Sequence, residues 1–259
     1  MDHGLGRQSR IAEGYGALIE FLASQCRRDG AAIHLGAMVT AIDARRGRIA
    51  ARRRDGTVHE GDAAILTVPL PLLAEIALPA SARAKAAAFA DIGFGNVVKI
   101  LLRFKKKWWA DHGGRDLADL SFLFSSATVP TWWTQHPAGY PVLTGWFAGP
   151  KADSVPHLSE SELVDMGLAS LAEIFALPAD RIASDLVASA AINWGNDPFA
   201  RGAYSYATPK TREAQAALKE PDGGRVLFSG EALYAGPDMG TVEAALASGR
   251  ETAQAILTA

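Results

Sequence analysis

Lys99 lies within Asn96-Val-Val-Lys-Ile-Leu-Leu-Arg-Phe104, a run whose alternation reads as a β-strand. Alternation puts Val97 and Leu101 on the lysine's own face, which argues against simple solvation, although snorkelling from an edge strand is the alternative. A lysine set among apolar neighbours must either face solvent or be held for a reason, which makes Lys99 the sharpest catalytic candidate. Tyr204 and Tyr206 lie two apart, so a strand would direct both rings to one face, suited to stacking beside an amine. Core packing of these rings, and of Trp194 before them, is the competing explanation.

The last segment reads Val226-Leu-Phe-Ser-Gly-Glu231, then a loop, then Gly240-Thr-Val-Glu-Ala-Ala-Leu-Ala-Ser-Gly-Arg-Glu251. An apolar run, a glycine-acid pair and a helix opened by Gly240 and Thr241 form a strand-loop-helix unit of the kind that offers backbone N–H groups to a cofactor. Gly230 would permit close backbone approach. A Gly-x-Gly-x-x-Gly stretch joining an apolar strand to a helix, the usual cradle for a dinucleotide pyrophosphate, occurs nowhere in the sequence.

With 259 residues, 49% of them hydrophobic, the chain can bury a substantial core. Lysine and arginine total 26 against 28 acidic residues, so no strong field favours nucleic acid or an anionic membrane, and neither is expected as a partner. The run Lys105-Lys-Lys-Trp-Trp109 reads as a strand end with a solvated charge cluster. Cys26, the single cysteine, excludes an internal disulfide and is expected on a core or helix face. The histidines at 3, 34, 59, 112, 136 and 157 share no metal-site spacing, and no metal is expected. No apolar stretch is long enough to span a bilayer, and Met1 to Arg7 lacks the apolar core of a signal peptide; the default compartment is the cytoplasm.

Residues 11–28 have the spacing of an amphipathic helix closed by Arg27, Arg28, Asp29 and Gly30. Ala32–Leu35, Met38–Ile42 and Gly47–Arg52 follow with period-two character, and Asp55-Gly56 supplies a hairpin turn, which together predict an antiparallel meander. Asp62-Ala-Ala-Ile-Leu-Thr-Val-Pro69 has the profile of a strand buried on both faces of a parallel sheet, shared with Val226 to Ser229. The long excursion between them holds an alanine-rich helix from Ser81 to Phe89, tryptophans at 108, 109, 132, 133 and 146, and a helix from about Ser159 to Phe175 with Ser159 and Glu162 at capping-box spacing. Such an excursion predicts a second domain inserted into the first.

Six fragments in order carry a family resemblance: Gly14-Tyr-Gly-Ala-Leu18; Val39-Thr-Ala-Ile42; Ala64-Ile-Leu-Thr-Val-Pro-Leu70; Gly93-Phe-Gly-Asn-Val-Val-Lys-Ile100 with Phe104 and Trp109; Trp194 through Asp197-Pro-Phe-Ala-Arg-Gly-Ala-Tyr-Ser-Tyr206; and Phe228-Ser-Gly-Glu231 with Gly240-Thr-Val-Glu243. The chain resembles the C-terminal portion of the flavin-containing amine oxidases, which include monoamine, polyamine and L-amino-acid oxidases and the histone-lysine demethylases. Lys99 together with Asp197 to Tyr206 favours this group over protoporphyrinogen oxidases and carotenoid desaturases.

The resemblance implies an α/β fold with α+β elements: a partial FAD-binding Rossmann-like domain over residues 1–78 and 222–259, and an inserted substrate domain of mixed sheet and helices over 79–221. It places Thr241 and Val242 backbone N–H groups at the pyrimidine edge of the flavin, Gly230 and Glu231 near the ribityl and phosphate region, and Val39 and Thr67 along the adenine part. Trp194 counts among the flavin contacts. Lys99 would reach the reactive nitrogen of the ring through a water and help dioxygen accept electrons, and Tyr204 would be one wall of the substrate cage. Ala203 stands where monoamine oxidases carry the cysteine that bonds flavin, so FAD is expected to be non-covalent. Thr241 replaces their second cage tyrosine, which leaves the cage half built.

The activity so implied is oxidation of a C–N bond in a small-molecule amine, by hydride transfer to FAD with reoxidation by dioxygen. Because the Gly-x-Gly-x-x-Gly βαβ half is missing from the sequence, a separate chain supplying it is the implied partner. The alternative is a non-catalytic fragment or interaction module that binds no FAD alone.

Overall fold

In a computed structural model, which describes residues 11–45, 47–220 and 225–258, apolar side chains divide between two cores. The N-terminal segment read for a leader, His3, and the expected domain boundary at 222 lie outside the described residues. In chain order the first part comprises helix α1 (Tyr15–Arg28), strands β1 (Val39–Arg45), β2 (Arg48–Arg53), β3 (Val58–Gly61) and β4 (Ala64–Leu66), and helix α2 (Ala80–Ala86). The middle part comprises β5 (Gly93–Gly95), β6 (Val97–Phe104), the short strands β7 (Asp111–His112) and β8 (Arg115–Asp116), β9 (Phe122–Phe124), β10 (Thr131–Trp133) and β11 (Val142–Ala148). Helices α3 (Pro150–Asp153), α4 (Glu160–Phe175) and α5 (Ala179–Ala183) lead to β12 (Leu186–Asn193), β13 (Tyr204–Tyr206), α6 (Thr211–Lys219), β14 (Val226–Phe228) and α7 (Val242–Thr258).

The first core gathers around a five-stranded antiparallel sheet ordered β12-β6-β11-β10-β9. Val98, Ile100, Leu102 and Phe104 of β6 point to one face, and α4 covers it with Leu163, Leu168, Leu171 and Phe175 at helical spacing. Trp132 is fully buried there, with its indole N–H donating to the Val129 carbonyl at 3.0 Å. Its ring lies against two glycines: a Cβ at Gly145 would come within 2.7 Å of it, and one at Gly167 of α4 within 3.3 Å. The second core joins Ile42 and Ile49 of the β1-β2-β3 meander to Leu66, Leu73, Phe89, Leu218, Phe228 and Leu233. Phe89 meets Phe228 edge-on at 5.2 Å. Ala82, Phe89, Ala214 and Leu218, all within 79–221, pack into this second core.

The capping box forms as its spacing predicts: the Ser159 N–H donates to Glu162 at 2.8 Å and the Glu162 N–H to the Ser159 hydroxyl at 3.3 Å. The Ser159 side-chain and backbone hydrogen bonds hold the Glu162 carboxyl below its ordinary range. A depressed carboxylate stabilises the fold above its unfolded pKa, and that contribution is lost as pH falls through the folded value. Ser159→Ala should lower the melting temperature by about 2–4 °C at neutral pH, and the gap should narrow in acid. Equal melting of both proteins at neutral pH, followed by circular dichroism, would count against the cap.

Four expectations change. Residues 32–35 form no strand. The helix α1 is present, but none of its residues is buried and Cys26 is exposed, because nothing among the described residues covers its apolar stripe. The alanine-rich helix ends at Ala86 and continues as a 3-10 turn to Asp91. Strand β4 does pair in parallel with β14, yet Ile65 is 40% exposed, since two strands alone cover only one of its faces. Among the described residues, no helix is long and apolar enough to cross a membrane.

Candidate cofactor and amine site

The parallel pair β4-β14 ends in a groove at its carboxyl edge, the position where open parallel sheets accept ligands. Thr67 follows β4 on one side, and Ser229, Gly230 and Glu231 follow β14 on the other, around an open volume of about 270 Å³. The Ser229 N–H donates to the Leu66 carbonyl at 3.0 Å, extending the ladder to the groove's rim. Gly230 then turns with φ 144°, a conformation that side chains rarely adopt. Its N–H donates to the Ser248 hydroxyl of α7 at 3.1 Å. Ala245 and Gly249 of α7 line the groove beside it. Ala203 lines the opposite side with no thiol to offer.

Glu231 fastens this turn to the aromatic strand. Its carboxylate accepts from the Ser205 N–H at 3.1 Å and from the Ser205 hydroxyl. Gly240, just before α7, is close enough to β13 that a Cβ there would sit 3.0 Å from the Ser205 carbonyl and 3.6 Å from the Tyr204 ring. The start of α7 is therefore brought to Tyr204.

At that helix start, Thr241 is a cap. Its hydroxyl accepts from the Ala244 N–H at 3.1 Å, and its own N–H donates to the Asp238 carbonyl at 3.2 Å. The expected pair of backbone donors is thus reduced, because the 238–241 turn already uses the Thr241 amide. Val242 is the first residue of the helix proper, where intrahelical acceptors are lacking.

Tyr204 and Tyr206 do share a face of β13, with Ser205 buried between them. The Tyr206 ring lies over the backbone of β5: a Cβ at Gly93 would meet it at 2.3 Å, so the Gly93-x-Gly95 spacing is what admits the ring. The Tyr204 ring lies instead beside Gly240, at the start of α7. Burial raises its hydroxyl above the ordinary tyrosine value, and the Trp146 indole, in polar contact with the phenol, opposes that shift in part.

Trp146 connects Tyr204 to Lys99, since β11 and β6 pair with Trp146 directly opposite Lys99. The Lys99 ammonium lies 5.7 Å from the ring centroid of Trp133, over its face, which supplies electrostatic attraction without a carboxylate. The lysine thus sits on the face of the sheet not covered by α4. Lys99 and Tyr204 stand out in the sequence, whereas Trp146, Trp133 and Ser205, which the structure sets beside them, do not. Trp146 and Trp133 were visible as tryptophans, but their adjacency to Lys99 depends on strand register, which no local pattern encodes.

Trp194 opens a 3-10 turn directly after β12, and its carbonyl accepts from the Gly202 N–H at 3.0 Å, anchoring the loop that brings Ala203 to the groove. Val39 begins β1 and packs against the second core; it does not line the groove. The structure therefore brings Thr67, Gly230 and Glu231 together, joins Glu231 to Tyr204 through Ser205, and joins Tyr204 to Lys99 through Trp146.

A family model described as flavin containing amine oxidoreductase matches residues 2–257. Over 248 residues the chain is 30% identical to Lysine-specific histone demethylase 1 homolog 3 of Arabidopsis thaliana, covering 88% of this chain and 14% of that protein. Over 253 residues it is 30% identical to Polyamine oxidase 4 of Oryza sativa subsp. japonica, covering 95% of this chain and 47% of that protein. A solved structure of a putrescine oxidase redesigned in its cofactor binding shares the fold with a TM-score of 0.77 at 21% identity, over 96% of this chain and 54% of that one. The chain thus spans less than half the length of these two curated relatives.

Proposed function

Because the chain belongs to the flavin-containing amine oxidoreductase family, whose cofactor is FAD, we propose that it forms the amine-facing part of an enzyme that oxidises a C–N bond of a small-molecule amine. The observation that carries this reading is the continuous path from groove to lysine: Gly230 and Glu231, then Ser205 and Tyr204, then Trp146 and Lys99.

The donor set fits a flavin held without a covalent bond. Gly230 clears the groove's rim of side-chain bulk, Ala203 offers no nucleophile, and the start of α7 supplies amide donors and a partial positive charge for an electron-rich ring edge. When bound, FAD supplies the two-electron acceptor that no side chain can provide. The chain's residues do the rest. Tyr204, a phenol that is protonated at physiological pH, offers a neutral π face to an amine. Lys99 holds a positive charge on the sheet face beside Trp146, where it can favour reduction of dioxygen.

The grip on the other end of the cofactor belongs, in this reading, to a βαβ half carrying Gly-x-Gly-x-x-Gly that pairs with the open side of β4-β14. The exposure of Ile65 and the uncovered stripe of α1 support such a complement. The test is FAD titration followed by visible absorbance, with and without a polypeptide carrying that half. Colour with the chain alone would mean an autonomous site, and colour only with the added half would mean a complemented one. Protein that stays colourless in both would sink the enzyme reading and leave a non-catalytic interaction module.

In whichever assembly takes up FAD, Glu231→Ala should weaken retention about 10- to 100-fold, because two hydrogen bonds from Ser205 to a charged acceptor are lost and the Gly230 turn is freed from β13. An unchanged FAD titration curve would remove Glu231 from the cofactor's support.

A further inference from the structure

Helix α6 turns Thr211, Ala214, Gln215 and Leu218 inward. Ala214 and Leu218 join the second core, but Gln215, only 3% exposed, places a polar amide where an apolar side chain would bury at less cost. Both of its N–H groups find acceptors. Gln215 Nε2 donates to the Ala232 carbonyl at 2.8 Å and to the Tyr234 carbonyl at 3.1 Å, and lies 3.8 Å from the Met239 sulfur. Arg212, three residues earlier on α6, donates to the Ala235 carbonyl from the exposed side.

These acceptors belong to the connector that leads from the Gly230 turn to α7. After one 3-10 turn at Glu231–Leu233, residues 234–241 form neither helix nor strand, so no ladder of their own sets their path. The connector's two ends both matter to the site. Ala232 and Leu233 line the groove, whereas Gly240 packs against Tyr204 and is followed by the first residue of α7 two positions on. An amide suits the grip, because a carboxylate would have no proton to donate and an ammonium would bury a charge.

We propose that Gln215 is a positioning residue for the cofactor groove: it fixes the 232–241 connector and, through it, the place of the α7 start beside Tyr204. It acts through the carbonyls it holds, without touching amine or flavin. The inference rests on the amine oxidoreductase reading, which sets an electron-rich ring edge at the start of α7.

Gln215→Met keeps the length of the side chain and removes both donors. Amide hydrogen exchange of the chain alone, read by mass spectrometry, should then be at least about tenfold faster over residues 232–242, while β6, β11 and α4 keep their protection. Arg212→Met, an exposed change that spares the core, should quicken the same segment about threefold. Leu218→Ala, a packing loss on the same helix, should instead quicken exchange across the second core, β1, β2 and β14 included. In whichever assembly takes up FAD, Gln215→Met should lower the reduction potential of the flavin, because the partial positive charge of the helix start is no longer held at the ring edge, and Leu218→Ala should not. Exchange over 232–242 that is unchanged, or quickened evenly with the second core, would overturn the proposal, and so would an unchanged flavin potential. Faster local exchange in protein that takes up no FAD in any assembly refutes only the flavin reading. Yellow protein that fails either test refutes only the role of Gln215.

Discussion

Trp132→Ala is expected to destabilise the protein by about 3–5 kcal/mol, the largest loss of stability foreseen for a single side chain here. The indole is fully buried, donates its N–H to Val129, and fills the space left by Gly145 on β11 and Gly167 on α4. Truncation removes the ring's burial and leaves a cavity between sheet and helix, where two glycines offer no side chain to collapse into it. Gly145→Val should be destabilising for the opposite reason, since even its Cβ would overlap the ring at 2.7 Å. Urea unfolding measures both. A loss below about 1 kcal/mol for Trp132→Ala would mean that the sheet and α4 are held by other contacts.

The second large effect concerns turnover. In a flavin-bearing assembly, Lys99→Met should slow dioxygen consumption about a hundredfold, while anaerobic bleaching of the flavin by amine changes little. Methionine keeps the apolar stem against Trp146 and Leu101 but removes the charge that Trp133 holds in place. The separation of half-reactions matters, because a lysine that merely supports the sheet would affect both or neither. Stopped-flow reoxidation at several oxygen concentrations measures the first, and unchanged oxidase turnover would refute the role.

Those features whose cause is local were legible in the sequence. The Asp55-Gly56 turn forms with the Thr57 N–H donating to the Asp55 carboxylate, and the Ser159–Glu162 box caps α4, because each needs only residues within a few positions. The parallel pairing of β4 with β14 was also readable, from two apolar runs of matching character. Periodicity misled where it reports an apolar face without saying what covers it, as with α1 and Ile65. It was silent where register decides. Trp146 opposite Lys99 and Trp133 beneath the ammonium are products of strand pairing between segments far apart in the chain, and so is the hold of Glu231 on Ser205. Helical periodicity likewise could not show that the Thr241 amide would be spent on Asp238.

The pairing of Ala64 with Val226 and of Leu66 with Phe228 has a consequence for how such a protein can diversify. Everything between the two strands leaves from the end of β4 at Leu66 and re-enters at the start of β14 at Val226, beside Ala64, and on the way it returns to the groove with Ala203. The five-stranded sheet lies within that insertion, and the Ser205–Glu231 hydrogen bond ties the insertion back to the turn after β14. Exchanges on its outer strands, at positions such as Phe122 or Phe124, leave the register of β4 and β14 untouched. An insertion of this kind can vary at its far strands while the paired strands and the turn after them keep their register.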